Sequence, residues 1–330
     1  MTSDQESTEH KDFFQFDDCT RSVSTLHPLN VLLTEIIDYA GLFPPSELGM
    51  SQAVRNYARY LGSEHAWMLG RFVVPATRLM EFARAAQDFL PCDPTARPWR
   101  LSVLLGSDIE REVESVLRFN ELHREPVNTG TAVVDAIELK ISHAEDVRRA
   151  TETIASLTEV TAFDIYFETP LADNLSELIH VIAQVGARAK VRTGGVTAEV
   201  IPSTSSLLSF IAACARANVP FKATAGLHHP LRAVHPLTYE QDSPSATMHG
   251  FLNVFLAAAF LRNGMNMDQA ARLLEEHDAQ NIRFGADGVA WRDHRLSVDQ
   301  LREARAKLAC SFGSCSFEEP IQELQMINLL

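Results

Sequence analysis

The chain has 330 residues, 46% of them hydrophobic, which is enough to bury a large core in one barrel or in two domains. Its 29 basic and 43 acidic residues give a formal net charge of −14, which argues against general binding to nucleic acid or to an anionic membrane. A small anionic substrate is not excluded, because a few local cations suffice to bind one.

The cysteine pattern and the first residues indicate where the protein works. The five cysteines are scattered and form no Cys-x-x-Cys pair: Cys19, Cys92, Cys214, Cys310 and Cys315. Such a set is typical of reduced thiols inside a cell. Residues 1–24 are polar, with no apolar signal-peptide core, and no apolar run is long enough to span a bilayer. We therefore expect a cytoplasmic protein with a disordered acidic tail at 1–24, and a homo-oligomer is left open.

Short β-rich runs alternate with amphipathic helical segments through residues 25–309. The expected strands are, in chain order, Glu35–Gly41, Met68–Pro75, Trp99–Gly106, Ala132–Ile141, Phe163–Thr169, Ala187–Thr193, Pro220–Gly226 and Asn281–Gly285. The expected helices are Met50–Leu61, Thr77–Phe89, Ile109–Leu122, Ala144–Leu157, Leu175–Val185, Thr204–Ala217, Thr247–Asn263, Met267–His277 and Val298–Leu308. Eight such repeats predict a single closed (β/α)₈ TIM barrel, with residues 310–330 as an extension that packs on it. An open, doubly wound sheet is the alternative.

Polar side chains recur on one face of several predicted strands. Residues two apart on a strand share a face, and the opposite faces are apolar enough to pack against the outer helices. The polar faces then point into the barrel, whose active sites lie at the carboxyl ends of the strands. The inward-facing set is Glu138, Lys140, Glu168, Lys190, Arg192, Lys222 and Thr224.

Two lysines are placed alike on neighbouring predicted strands. Lys190 and Lys222 are each followed four residues later by glycine. Two adjacent ammonium groups repel each other, which lowers the pKa of one of them, and a neutral amine forms Schiff bases with carbonyl compounds. A solvated or carboxylate-paired lysine is the structural alternative.

With these motifs the chain resembles the class I, Schiff-base aldolase barrels, remotely the deoxyribose-phosphate aldolase family. Residues 190–194 (Lys-Val-Arg-Thr-Gly) are similar to that family's Lys-x-x-Thr-Gly run, and residues 222–228 to its run with a second lysine. Shorter matches occur in the same order along the chain: Ile37-Asp38-Tyr39, Phe72-Val73-Val74-Pro75, Ile137-Glu138-Leu139, Phe167-Glu168-Thr169 and Arg283-Phe284-Gly285-Ala286.

The resemblance implies a carbon–carbon lyase that acts on a small phosphorylated or carboxylated carbonyl compound without a cofactor or metal. Lys190 would form the Schiff base, Lys222 would tune it, and Glu138 would move protons. His228, which stands where that family has an arginine, is expected to be catalytic because a loop histidine suits acid–base chemistry. The expected substrate-binding residues are Asp38, Lys140, Glu168, Arg192, Thr193, Gly194, Gly195, Thr224, His229, Arg232 and Gly285.

A histidine-rich insertion follows the seventh predicted strand. It contains His228, His229, His235 and His249, which suit acid–base catalysis near neutral pH or substrate binding. With Asp38, Glu168 or Asp242 they would alternatively bind zinc or iron, which gives a metal-dependent lyase or hydrolase built on His228, His229 and His249. A non-catalytic barrel that binds an anionic metabolite is the third interpretation.

Overall fold

The computed structural model describes residues 27–125 and 130–330, so the predicted tail at 1–24 lies outside the described residues. The strands are β1 Ile37–Tyr39, β2 Leu69–Pro75, β3 Trp99–Leu104, β4 Ala132–Lys140, β5 Asp164–Glu168, β6 Arg188–Arg192, β7 Phe221–Thr224, β8 Ala233–Pro236, β9 Ser245–Met248, β10 Ile282–Gly285, β11 Gly288–Trp291, β12 His294–Ser297 and β13 Ala309–Ser314. Strands β1 to β7 and β13 form a closed parallel barrel in the order β1-β13-β7-β6-β5-β4-β3-β2. The predicted (β/α)₈ barrel is confirmed.

The helices form the outer layer of the barrel. They are α1 Pro28–Leu33, α2 Met50–Leu61, α3 Leu79–Ala86, α4 Ile109–Leu122, α5 Ala144–Leu157, α6 Leu175–Gln184, α7 Thr204–Ala217, α8 Phe251–Arg262, α9 Met267–Leu274, α10 Val298–Lys307 and α11 Glu318–Met326. Most have one apolar stripe, which packs on the strands and leaves the charged face in water. Helix α8 is apolar on all sides, and its residues 251–260 are all buried.

The eighth barrel strand is not where the sequence suggested. The predicted strand Asn281–Gly285 overlaps β10, which pairs antiparallel with β11 in a separate three-stranded sheet. Strand β13 takes its place and pairs parallel with β1 and β7. The sequence of β13 (Ala-Cys-Ser-Phe-Gly-Ser) is short and rich in small residues, so it lacks the β-branched pattern of a buried strand. Residues 310–314, expected in the extension, therefore belong to the barrel, and α11 follows it.

Within residues 27–125 and 130–330, one segment has the length and hydropathy of a membrane-spanning helix. It runs from Ala198 to Ala217, and 39% of an 18-residue apolar stretch within it is buried. It comprises a short 3₁₀ turn, Ala198–Val200, and then α7, and the buried residues of α7 face the protein. A core helix of a barrel passes the same test by composition alone.

An arginine–aspartate network closes the amino-terminal end of the barrel. Arg71 Nε lies 2.6 Å from Asp135 Oδ1, and Arg71 Nη2 lies 2.8 Å from Asp164 Oδ2. Arg100 binds the other oxygen of Asp135 at 2.7 Å, and Arg188 binds the other oxygen of Asp164 at 2.6 Å. Each aspartate is thus shared by two guanidinium groups, which satisfies the charges that strand alternation directs inward.

Candidate active site

A cavity of about 240 Å³ opens at the carboxyl ends of the barrel strands. Its polar lining includes Glu138, Glu168, Lys190, Arg192, Lys222, Thr224, His228 and Cys315. Its apolar lining includes Phe43, Pro44, Pro45, Val73, Leu104, Val196, Leu237 and Met248. A (β/α)₈ barrel with a charged cavity at this end is an enzyme architecture.

Two buried lysines share one buried glutamate in this cavity. Lys190 and Lys222 are register partners on β6 and β7. Glu138 on β4 lies between them, with Oε2 2.7 Å from Lys190 Nζ and Oε1 2.7 Å from Lys222 Nζ. Lys190 Nζ also lies 2.8 Å from Glu168 Oε2, and Lys222 Nζ lies 2.6 Å from Asp38 Oδ2. Each ammonium group is therefore bracketed by two carboxylates.

Three further groups hold these carboxylates in place. Ser102 Oγ donates to Glu138 Oε1 at 2.6 Å, and Ser311 Oγ donates to Asp38 Oδ2 at 2.9 Å. The backbone N–H of Arg71 donates to the other Asp38 oxygen at 2.9 Å. The network is thus built from strands β1, β2, β3, β4, β5, β6, β7 and β13, so the whole barrel fixes its geometry.

The network sets the protonation states. Burial alone would raise the pKa of the Glu138 carboxyl, but the ammonium groups of Lys190 and Lys222 outweigh it and hold that pKa well below its usual range. Lys222 outweighs burial in the same way at Asp38 and lowers the pKa of that carboxyl. Lys190 does so at Glu168 and lowers the pKa of that carboxyl. Burial would lower the pKa of Lys222, but the Asp38 and Glu138 carboxylates outweigh it and raise that pKa.

Repulsion from Lys222 was expected to lower the pKa of Lys190. In the structure two carboxylates bind each of the two ammonium groups, and the pKa of Lys222 is raised. Alternation along the strands correctly indicates which charges share a face, but it does not rank their distances. Carboxylates lie within hydrogen-bond distance of both amines, and this attraction outweighs the repulsion between Lys190 and Lys222. A charged ammonium is not a nucleophile, so the raised pKa of Lys222 disfavours the neutral amine that Schiff-base formation needs at that residue.

The turns after β6 and β7 bring further predicted residues to the site. Arg192 is about half exposed at the cavity, with Nε 3.3 Å from Glu168 Oε1, and Gly195 and Thr224 line the wall. Thr193 Oγ1 donates to the Ala225 carbonyl, which ties the two turns together. A Cβ on Gly194 would lie 3.0 Å from the Gly226 Cα, so these turns pack backbone against backbone.

Other predicted site residues lie outside this cavity. Lys140 is exposed and lines a separate cleft beside Glu168 and Arg192. Gly285 lies on β10 in the outer sheet, because that strand is not part of the barrel. The backbone N–H of Arg232 donates to Asn253 Oδ1 at 2.9 Å. The side chain of Arg232 does not line the cavity.

The histidines of the insertion separate into three environments. His228 lines the cavity, with Nδ1 3.0 Å from Ser314 Oγ. His229 Nδ1 lies 2.6 Å from Glu323 Oε1, and its ring stacks on His235 at 3.3 Å between centroids. His249 is fully buried, and its Nε2 donates to the Pro202 carbonyl at 2.8 Å.

These positions do not form the predicted metal site of His228, His229 and His249. A different group, His229, His235 and Glu323, has ligand atoms within 4.8 Å of one another. However, its two imidazole rings are within 4° of parallel, so one ion cannot lie in both ring planes.

The apolar lining of the cavity was not predicted from the sequence, and a nucleophilic residue there was also missed. Cys315 directly follows β13 and lines the cavity, with Sγ 4.0 Å from His228 Nδ1. It would have been found if β13 had been recognised, since residues after a barrel strand form the active-site end.

No family model and no curated protein matches this chain. Ten chains of solved structures match it. One is a crystal structure of a protein from Bacteroides thetaiotaomicron, provisionally assigned as an alpha-L-fucosidase, with a TM-score of 0.40 and 9% identity. The match covers 77% of this chain and 89% of that one. At this level the likeness does not indicate what this chain does.

The interpretation as a Schiff-base aldolase, and with it the assignment as an aldolase-like carbon–carbon lyase, is corrected. The ion pairs at Lys190 and Lys222 oppose the chemistry on which that interpretation depends. The metal-dependent alternative does not fit better, because His249 is held by Pro202 away from the cavity. Nor does the non-catalytic alternative, because acid–base and nucleophilic side chains line the cavity.

Proposed function

We propose that this protein is an enzyme that acts at the carbonyl group of a small, anionic and partly apolar substrate. Lys190 and Lys222 serve as charged hydrogen-bond donors that stabilise negative charge on the carbonyl oxygen. The observation that carries the proposal is Glu138, which bridges both ammonium groups in the cavity at 2.7 Å.

The ammonium groups have donors to spare for a substrate. A lysine ammonium has three N–H donors, and among the described residues two carboxylates bind each of these lysines. The remaining N–H of Lys190 and of Lys222 can be directed at an oxygen in the cavity, which both residues line. Pre-aligned donors aimed at developing charge in a site with little water are the strongest means of lowering such a barrier.

The rest of the cavity supports the assignment of substrate class. The Arg192 guanidinium, half exposed at the cavity, suits a carboxylate or phosphate group. The apolar wall around Phe43, Leu237 and Met248 suits a short hydrocarbon portion. His228 lines the same wall and is the group suited to transferring protons near neutral pH. We place this chemistry in the cytoplasm, without a cofactor.

Isotope labelling tests the proposal without knowledge of the substrate. The purified protein is incubated with small 2-oxo acids, hydroxy aldehydes and acyl esters in D₂O and, separately, in H₂¹⁸O. Reaction through an enolate introduces deuterium, and hydration or acyl transfer introduces ¹⁸O. We expect at least one compound to be labelled faster than in buffer. Loss of Lys190 should slow the labelling by about 10²–10³-fold, the usual effect of removing one such donor.

Two variants are compared, the single variant Lys190→Met and the double variant Lys190→Met with Glu168→Gln. The double variant removes one positive and one negative charge, so that Glu168 is not left as a carboxylate without its lysine partner. Lys307→Met is the matched control, because Lys307 is an exposed lysine whose Nζ lies 3.0 Å from Glu303. Thermal unfolding shows whether each variant is folded. If no compound is labelled, or if the folded Lys190 variants label as fast as Lys307→Met, the proposal is wrong.

A further inference from the structure

We propose that Cys315 is the nucleophile of this site and that it forms a thioester with the acyl group of a small carboxylic ester, with His228 as its acid–base partner. The inference rests on the proposed function, since it uses the same cavity and the same oxyanion donors. It narrows the reaction to ester hydrolysis.

The thiol and the imidazole meet at the carboxyl ends of two adjacent barrel strands. His228 follows β7 and Cys315 follows β13, and these strands pair in parallel. Cys315 Sγ lies 4.0 Å from His228 Nδ1, and both residues line the cavity. A thiol and an imidazole that meet at the catalytic end of a barrel are the pair of groups that covalent catalysis uses, and such contacts shorten when substrate binds.

A third group completes the arrangement. Glu319, on α11, has its Oε2 3.6 Å from His228 Nδ1. The Tyr239 hydroxyl donates to the same Oε2 at 3.2 Å and lies 3.6 Å from Cys315 Sγ. Cys315 and Glu319 both approach Nδ1, so Glu319 does not hold the second ring nitrogen as the carboxylate of a catalytic triad does. Its negative charge stabilises the imidazolium that forms when the thiol gives up its proton.

The pKa values of the thiol and of the imidazole are both shifted in the direction that favours an ion pair. Burial would raise the pKa of the Cys315 thiol, but hydrogen bonding to His228 outweighs it and lowers that pKa. Burial would lower the pKa of His228, but Cys315 and Glu319 outweigh it and raise that pKa. By contrast, burial raises the pKa of the Cys214 thiol, and Cys214 does not line the cavity. The position of Cys315 therefore suits a thiolate, whereas that of Cys214 suits an inert thiol.

The reaction balances with water as the only co-reactant. The Cys315 thiolate attacks the ester carbonyl carbon, an S–C bond forms, and the C=O π electrons move to the oxygen, which faces the ammonium donors. The C=O bond re-forms as the alkoxide leaves and takes the proton of the His228 imidazolium. Neutral His228 then removes a proton from water, the hydroxide attacks the thioester, and the acid is released with the thiolate restored.

The probe for this step is p-nitrophenyl acetate, with quench-flow, intact-mass analysis and peptide mapping. We expect a burst of p-nitrophenol and one acetyl group on the peptide that contains Cys315. Cys315→Ser and Cys315→Ala should lose hydrolysis by at least about 10³-fold, as loss of a nucleophile does. Cys92→Ser is the matched control, because Cys92 is an exposed free thiol outside the cavity.

Alkylation by iodoacetamide gives a second readout that does not depend on turnover. Cys315 is 5% exposed and Cys92 is exposed, so a difference in access alone would make Cys92 react faster. If Cys315 is a thiolate reached through the cavity, it should be alkylated faster than Cys92 at pH 7, and the difference should shrink in His228→Asn.

The outcomes separate this inference from the proposed function. If the parent forms no acetyl-Cys315, or if folded Cys315→Ala hydrolyses the ester like Cys92→Ser, the inference is wrong. In that case, isotope labelling that still depends on Lys190 leaves the proposed function standing. If Cys315 is acetylated and the Lys190 variants hydrolyse the ester at the parent rate, Cys315 is the nucleophile. In that case the proposal that the ammonium groups stabilise charge on the carbonyl oxygen is wrong.

Discussion

Glu138→Gln should lower the free energy of unfolding by about 3–5 kcal/mol, the usual cost of breaking a buried ion pair by removing one partner. Glu138 is 3% exposed and neutralises both Lys190 and Lys222. Glutamine keeps the size of the side chain but leaves two buried ammonium groups facing each other without the charge between them. Urea unfolding of the parent and the variant at pH 7 measures the effect.

Glu303→Gln is a close control for this substitution. Glu303 also binds two cations, Lys307 at 3.0 Å and Arg262 at 3.2 Å, but it does so at the surface. Its substitution should hardly change unfolding, because water screens exposed pairs. Because the folded-state pKa of Glu138 is lowered, its stabilising contribution is present above the unfolded value of about 4.3 and is lost as pH falls through the folded value. Equal effects of the two substitutions would contradict the burial argument.

Arg71→Met should cost about 3 kcal/mol, at the lower end of the range for a broken buried ion pair. Arg71 binds Asp135 and Asp164 at the closed end of the barrel, and methionine leaves both aspartates one partner short. The cost stays at the lower end because Arg100 and Arg188 still bind these aspartates.

The comparison for Arg71 is Arg149→Met, which removes an exposed arginine 3.1 Å from Asp146 on the same helix. Thermal unfolding of both variants gives the difference directly, and we expect Arg149→Met to unfold near the parent temperature. If Arg71→Met is as stable as Arg149→Met, the network at the closed end does not hold the barrel together.

Local patterns in the sequence were sufficient for the fold and for part of the site. The two-residue alternation of side chains depends only on strand geometry, so it placed Glu138, Lys190 and Lys222 on the inner face. It could not indicate that Asp38 would lie within hydrogen-bond distance of Lys222, or Glu168 of Lys190, because such distances depend on strand register across the barrel.

The remaining errors arose where the chain departs from regular repeats. The insertion after β7 folds back on itself, so it carries Arg232 and His249 away from the cavity although both are close in sequence to His228. Strand β13 was not predicted because it consists mainly of small residues. Cys315, which directly follows it, was therefore not predicted as a residue of the cavity. Composition and periodicity do not report either feature, because both depend on long-range packing.

The charge state of Lys222 is the most direct test of the proposed role of the two ammonium groups. Selective ¹⁵N labelling of lysine side chains, with Lys222→Arg to assign the signal, follows its Nζ by NMR from pH 7 to 10. Because its folded-state pKa is raised, its stabilising contribution is fully present below the unfolded value and is lost only as pH rises through the folded one. We expect an ammonium signal that persists throughout this range. A neutral amine at pH 8 would contradict this expectation and would make Lys222 a nucleophile rather than a charged donor.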